Sequence, residues 1–159
     1  MNQEIYLKIG VVVLNENDEI LLIKEKVDEE SEPALNIIKG TFDKPHESII
    51  DCAKRECLEE AGLEVEFLGV LNILTMQSRG KLKIQFNFVA RANTDKVSLP
   101  KERGLHIEGE NIIGESWFTN DQIADLEPKD FVADYTLRII REWIENGKVY
   151  SLNILEDQF

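Results

Sequence analysis

The sequence predicts an α/β (α+β) fold in which helices sandwich a mixed β-sheet, built as a single domain over residues 1–159. Three observations lead there. β-Branched, apolar runs separated by turn residues fill much of the chain up to residue 92. Two stretches, one before the middle and one near the C-terminus, carry apolar residues at helical spacing. No repeat, low-complexity tract or linker breaks the chain into parts. Strands that precede and follow helices in this way call for a layered arrangement of sheet and helices.

The elements follow in order. "YLKIGVVVL" (6–14) is β-branched and apolar and predicts a strand. "NENDE" (15–19) is turn chemistry, so "ILLIK" (20–24) returns as the second strand of a hairpin. "VDEESEP" (27–33) is an acidic surface loop, and "LNII" (35–38) a short strand delivering the chain to Lys39 and Gly40. "GTFDKPH" (40–46) is a loop. A helix follows, with Ile49 or Ile50, Ala53 and Cys57 on one face, Pro45 before it and Gly62 after it as start and stop signals.

"VEFLGVLNILTM" (65–76) and "KLKIQFNFVARA" (81–92) are two strands joined by a hairpin turn at "QSRG" (77–80). In the second, Leu82, Ile84, Phe86 and Phe88 alternate with Lys83, Gln85 and Asn87, which predicts one buried face and one polar face. Residues 93–110 form a loop long enough to be a functional lid. "NIIGESWF" (111–118) is the last strand and "TNDQIADL" (119–126) a short helix capped by Thr119. "KDFVADYTLRIIREWIENG" (129–147) is a longer amphipathic helix stopping at Gly147, and the tail after it supplies an edge segment.

Composition excludes several function classes. Apolar content of 43% and charged content of 31% fit a folded globule. No apolar run reaches the roughly 18 residues a membrane span needs. The opening "MNQEIYLKIG" lacks the basic start and apolar stretch of a secretory leader, so a cytoplasmic protein is expected. A net charge of −13 argues against broad binding to nucleic acid or anionic membrane. It leaves room for an anionic small molecule, because a bound divalent cation inverts the local field. Cys52 and Cys57 point in different directions on one helix and do not form a disulfide. The only histidines are His46 and His106, so a Cys/His zinc site has little to be built from. Any metal would be hard and oxygen-bound, Mg2+ or Mn2+.

The stretch that stands out is "RECLEEAGL" (55–63). On a helix Glu56, Glu59 and Glu60 project within an arc of about 100°. Like charges at these spacings cost roughly 0.2–0.5 kcal/mol per pair, and anions in a last helical turn oppose the helix dipole. Lys54 and Arg55 relieve this only in part. The triplet is either a solvated helix face or a socket for a divalent cation, which would reverse the sign of every one of these terms.

Reading back from Leu63, the chain carries Gly62, Glu60, Glu59, Glu56, Arg55, Glu47 and Gly40. This resembles the signature of the Nudix hydrolases: glycine, glutamate, seven residues, Arg-Glu, an apolar residue, any residue, Glu-Glu, any residue, Gly and an apolar residue. From Glu47 to Leu63 the match is complete, with Cys57 in the apolar position. The flanking strands and the "WF" strand leading into a short helix also suit the family, so the resemblance covers about residues 5–145. One departure stands out. Six residues separate Gly40 from Glu47, one more than the family's usual spacing, and Thr41 stands where a second glycine is common. Either the loop has gained a residue or Thr41 replaces a glycine, at a cost if its φ is positive.

The resemblance implies a magnesium-dependent hydrolase of a nucleoside diphosphate linked to a further group X. It implies that Glu56 and Glu59 hold the metal with Glu60 and the Gly40 backbone carbonyl assisting, and that Glu56 is the general base. Arg55 orients these carboxylates, with Glu59 as its i,i+4 partner. A further metal-binding carboxylate is expected from the loop before the last strand, Glu110 ahead of Glu115 and Glu108. Lys39, Glu47 and Arg79 are the candidate substrate contacts; Lys81 and Arg103 are weaker ones, and Trp117 and Phe118 belong to the core. Glu47 is also suited to the positive end of the helix. The alternative function is a nucleotide-binding regulator or scaffold that binds without cleaving. "SRGK" after the box lacks the proline or tyrosine of the subfamilies acting on ADP-ribose or dinucleoside polyphosphates, so no substrate is singled out. The partner expected is a small nucleotide-type molecule, with the chain a monomer or homodimer.

Overall fold

β-Branched, apolar sequence near the N-terminus builds the strand around which the other elements are arranged. In the computed structural model of the protein, which describes residues 3–104 and 111–156, strand β1 (Glu4–Leu14) runs parallel to β6 (Lys81–Ala92) over its whole length, from Glu4–Lys81 to Leu14–Arg91. β6 in turn pairs antiparallel with β5 (Val65–Ser78). On its other edge β1 pairs antiparallel with β4 (Ile38–Thr41) from Lys8 to Val11. It meets β2 (Ile20–Glu25) only at Leu14–Ile20. β2 carries β3 (Ala34–Asn36) on one edge and β7 (Ile112–Phe118) on the other, completing a seven-stranded mixed sheet.

Helix α1 (Ile49–Ala61) covers one face; α2 (Asn120–Ala124) and α3 (Asp134–Asn146) cover the other. The period-two alternation of β1 divides its side chains between two cores. Ile9, Val11 and Val13 pack with Phe88 and with Cys52, Ala53 and Cys57 of α1. Val12 and Leu14 pack with Ile123, Leu137 and Ile140. Each such aliphatic side chain contributes roughly 1.5–3 kcal/mol by leaving water. The expected fold class, helices on both sides of a mixed sheet, is the one observed. No helix among the described residues is long and apolar enough to cross a membrane.

The structure differs from the expected element map in four places. The first two strands are not a laddered hairpin, because β4 occupies the β1 edge that β2 would need. "LNII" is split at Ile37, whose fully buried side chain joins the α3-side core while β3 and β4 go to different neighbours. The expected helix over 129–147 starts only at Asp134. Before it, Pro128–Asp130 is a single 3-10 turn and Phe131 bridges to Leu35, with the Val132 N–H donating to the Leu35 carbonyl at 3.0 Å. Sheet hydrogen bonds there displace helical ones. Among its described residues the long loop contains one 3-10 turn, Pro100–Arg103, closed by Gly104. The tail does supply an edge segment, with Tyr150 and Val70 exchanging N–H to carbonyl bonds at 2.8 and 2.9 Å.

The polar face of β6 is itself buried. Gln85 and Asn87 have no solvent exposure, whereas Ile84 and Phe86 on the apolar face are only half-buried. The buried amides satisfy one another: Gln85 Nε2 donates to Asn87 Oδ1 at 2.7 Å, and Asn87 Nδ2 to Asn72 Oδ1 at 2.8 Å. Room for this chain comes from Gly10 on β1, where a Cβ would lie 2.4 Å from Asn87 Oδ1. Gly10→Ala is expected to destabilise the fold by about 1–3 kcal/mol through overpacking, read as a lower urea midpoint with an unchanged slope.

Candidate active site

Helix α1 begins where Ser48 accepts the Asp51 N–H at 2.9 Å, and it ends at Gly62, whose left-handed φ of 66° lets its N–H return to the Leu58 carbonyl at 3.0 Å. The N-cap is therefore Ser48, which leaves Glu47 available for another partner. Cys52, Ala53, Cys57 and Ala61 enter the core. Glu56 and Glu60 are also buried, at 5% and 2% exposure. That removes the solvated-face reading for these two: a bare acidic surface does not bury its carboxylates.

Arg55 gathers the acidic residues. Its Nε donates to Glu47 Oε1 at 2.7 Å and its Nη2 to Glu47 Oε2 at 3.1 Å, a two-pronged contact. Its Nη1 donates to Glu56 Oε1 at 2.7 Å and to Glu59 Oε2 at 3.0 Å. Nη2 also reaches the Thr41 carbonyl at 3.3 Å. The hydrogen bond that Arg55 donates to Glu47 is the largest influence raising the guanidinium pKa, against the opposing effect of burial, so Arg55 stays charged. Lys44 adds a contact to the more exposed Glu59 at 3.5 Å.

Glu60 Oε2 accepts the Lys39 backbone N–H at 3.3 Å. The Glu56 side chain lies directly on Gly40, where a Cβ would fall 2.1 Å from both its Cγ and its Cδ. Glycine is required at 40 by this approach. Thr41, by contrast, is an ordinary strand residue paired with Lys8, without positive φ. Nothing in its backbone calls for glycine. In the loop before α1, His46 takes a left-handed φ of 59°.

The helix dipole problem is answered from a distance. An Arg103 Nη2 hydrogen bond to the Glu59 carbonyl, a 2.9 Å bond from Arg103 Nε to the Ser98 carbonyl, and the Ser98 N–H on the Ala61 carbonyl at 2.8 Å dock the 93–104 loop on the C-terminus of α1. Arg103 is thus engaged with backbone carbonyls rather than facing outward. Arg79 sits at the exposed tip of the β5–β6 hairpin and does not join the cluster. Lys81 lies over the Tyr6 ring at 5.4 Å. Glu115 is held on β7 opposite Ile23, without a bond to the Arg55 cluster. Glu110 and Glu108 lie outside the described residues. Trp117 and Phe118 pack against the two cores, as expected, and Trp117 Nε1 donates to the Asp95 carbonyl at 2.9 Å.

Beside β4 lies a cavity of about 180 Å³ whose lining includes Lys8, Lys39 and Lys83 together with Glu25, Gly40 and Glu60. Lys39 Nζ donates to Thr136 Oγ1 at 3.0 Å and lies 4.8 Å above the Tyr135 ring. Burial lowers the pKa of Lys39, with Tyr135 opposing it, and burial likewise lowers Lys83. Lys8, Lys83 and Tyr135 were not singled out by the sequence. The one available signal was a lysine in an apolar-alternating strand, and it needed α3 on that face to become meaningful. A second cavity of about 250 Å³, bordered by Trp143 and Tyr150, touches no residue of α1.

Among the described residues no three His, Cys, Asp or Glu side chains converge as a preformed metal cluster. Arg55 holds Glu47, Glu56 and Glu59 instead. The donors near Gly40 are carboxylate and backbone oxygens, the types hard divalent cations prefer.

A buried acidic helix lodged against the edge strand of a helix-flanked mixed sheet defines a Nudix-type hydrolase. The NUDIX domain model matches residues 6–138, and the chain belongs to that family. Among solved structures it is similar to a NUDIX hydrolase from Nitrosomonas europaea (24% identity, TM-score 0.75, covering 99% of this chain and 98% of that one). It is also similar to a MutT protein from Methanosarcina mazei Go1 (20%, 0.68, covering 93% and 99%) and a MutT NUDIX hydrolase from Burkholderia pseudomallei (19%, 0.65, covering 87% and 98%). At such identities the likeness is one of fold. No curated protein matches the chain.

Two outcomes follow from this geometry. Arg55→Met removes the cation from the part-buried Glu47 and the buried Glu56 carboxylates and should cost about 3 kcal/mol, seen as a lower melting temperature that Arg55→Lys only partly restores. Burial, then Glu47, pushes the Cys52 thiol up to about 12, and burial raises Cys57 as well. Both should resist iodoacetamide at pH 8 in the folded protein and react once it is unfolded, because the thiolate is the reactive form.

Proposed function

We propose that the protein hydrolyses a diphosphate linkage in a nucleoside diphosphate–X substrate with Mg2+, for which Mn2+ can substitute. The observation that carries this reading is the burial of Glu56 on Gly40, with Glu60 on the adjacent backbone N–H of Lys39. Two carboxylates are thereby held against the strand backbone in a chain of the NUDIX family. Glu56, Glu59, Glu60 and the Gly40 carbonyl are the oxygen donors that would hold the metal, and they suit a hard cation. When bound, it supplies charge neutralisation at the phosphate oxygens and acidifies water.

The remaining chemistry belongs to the chain's own residues. Glu56 is the general base that accepts a proton from the attacking water. Arg55 fixes the Glu56 and Glu59 carboxylates through one nitrogen, and Glu47 fixes Arg55 through two contacts. Glu47 acts in this reading through Arg55 rather than on the substrate. Glu110 or Glu115 completes the donor set, and Lys39 faces the substrate. The enzyme acts on a small nucleotide derivative in the cytoplasm, as monomer or homodimer.

Glu56→Gln tests the reading. It keeps shape and removes the base, and should cut kcat by about 10²- to 10⁴-fold while the circular dichroism spectrum and melting temperature hold. EDTA should silence the wild type. A Glu56→Gln variant with full turnover, measured as phosphate released from nucleotide sugars, dinucleotides and nucleoside triphosphates, would sink the assignment.

A further inference from the structure

The cavity of about 250 Å³ lined by residues of β5, α3 and the C-terminal tail shares no lining residue with the one beside β4. Buried Leu71 and Ile139 supply apolar lining, and Trp143 and Tyr150 supply two aromatic rings. Tyr150 is held there by its backbone. It exchanges N–H to carbonyl bonds with Val70 at 2.8 and 2.9 Å. Gly69 lets the tail close on β5, since a Cβ on it would lie 2.8 Å from both the Val149 Cβ and the Tyr150 carbonyl oxygen. Tyr150 nevertheless stays 46% exposed. An aromatic residue pinned in place but left half in water is a contact surface that costs little conformational entropy to use.

The polar groups around these rings have unused capacity. Asn72 Oδ1 accepts from Asn87 Nδ2 at 2.8 Å, and Gln85 fixes Asn87 in turn, so the Asn72 amide is oriented while its own N–H donors have no acceptor among the described residues. The Trp143 indole N–H likewise has no acceptor among the described residues, whereas that of Trp117 has the Asp95 carbonyl. The Glu142 carboxylate, also at this cavity, accepts from Arg138 through Oε1 at 3.1 Å and retains acceptor capacity on its other oxygen.

Two rings beside oriented donors and an acceptor suit a planar ring with a polar edge, which is the chemistry of a nucleobase. At about 250 Å³ the cavity lies just below the roughly 300–1,000 Å³ of pockets for drug-sized ligands, so it matches a ring system and not a whole dinucleotide. A hydrocarbon tail would cover the donors without pairing them. A free phosphate would meet the Glu142 carboxylate as well as Lys148, whose ammonium group lies over the Tyr150 ring at 4.9 Å.

We infer that this cavity is a second binding site, for the base of a nucleoside or nucleotide, set apart from the acidic helix. The inference does not rest on the hydrolase reading, because none of the cavity's lining residues belongs to α1 or β4.

The test uses the full chain, isotopically labelled and kept in EDTA, titrated with adenosine, uridine or ribose phosphate and followed by amide and indole N–H signals. The chain has two tryptophans, so Trp117 and Trp143 give one indole signal each. Adenosine should move the Trp143 signal saturably, uridine should do so more weakly because its ring is smaller, and ribose phosphate should not move it. Tyr150→Ala should weaken adenosine binding about ten-fold or more. Tyr150→Phe, which keeps the ring, should retain it, and so should Glu56→Gln at the acidic helix. Nuclear Overhauser contacts from the adenine protons to the Leu71 methyl groups and the Tyr150 ring should place the ligand in the wild type, without recourse to any variant.

A Trp143 signal that adenosine leaves unmoved overturns the inference. So does ribose phosphate acting as adenosine does, which would assign the cavity to sugar or phosphate. Adenosine affinity equal in the wild type and a folded Tyr150→Ala, or adenine contacts that avoid Leu71 and Tyr150, would place the ligand elsewhere. Binding lost in Glu56→Gln would return it to the acidic site.

Discussion

One guanidinium holds the centre of this molecule's chemistry. Arg55 contacts Glu47, Glu56, Glu59 and the Thr41 carbonyl, and so ties the loop before α1, the second half of α1 and the end of β4 to a single planar group. A lysine could supply the charge but not the fork. Without the cation, three carboxylates within two helical turns would repel one another at the edge of the sheet. With it, acidic residues become a structural cluster whose geometry is set before any ligand arrives.

Strand β4 divides two electrostatic environments by a four-residue stretch of backbone. The Glu56 and Glu60 carboxylates approach the backbone of Gly40 and Lys39. The Lys39 ammonium projects to the α3 side, where Thr136 and Tyr135 receive it. Alternation along the strand is what separates the two.

Local sequence carried the helix, its Gly62 stop and the strand periodicities, because those depend on residues a few positions apart. The i,i+4 contact of Arg55 with Glu59 was legible for the same reason. Relations across the sheet were not. That Gly40 is needed because Glu56 lies on it, that Arg103 caps a helix forty-odd residues earlier, and that β4 takes the edge β2 was expected to fill are facts of tertiary placement. The β6 face shows the limit most clearly. Its Lys-Gln-Asn alternation spells a polar surface, and the structure buries that surface beneath α3, where amides bond to amides. Alternation reports which residues share a face; it does not report what covers the face.

The parallel pairing of β1 with β6 has a consequence for how the chain is made. Glu4 meets Lys81 and Leu14 meets Arg91, so partners in the central ladder are 77 residues apart. α1 emerges from the ribosome well before Phe88 and Ala90, which share its core. During synthesis the helix and the first strand must therefore wait, with apolar faces uncovered, until more than half of the chain is available. Closing so long a loop makes folding slow relative to proteins built from local contacts, and leaves the nascent chain open to aggregation during that interval. Truncated chains ending before residue 81 would lack one side of the central strand, and the core beneath the acidic helix would lose Phe88 and Ala90.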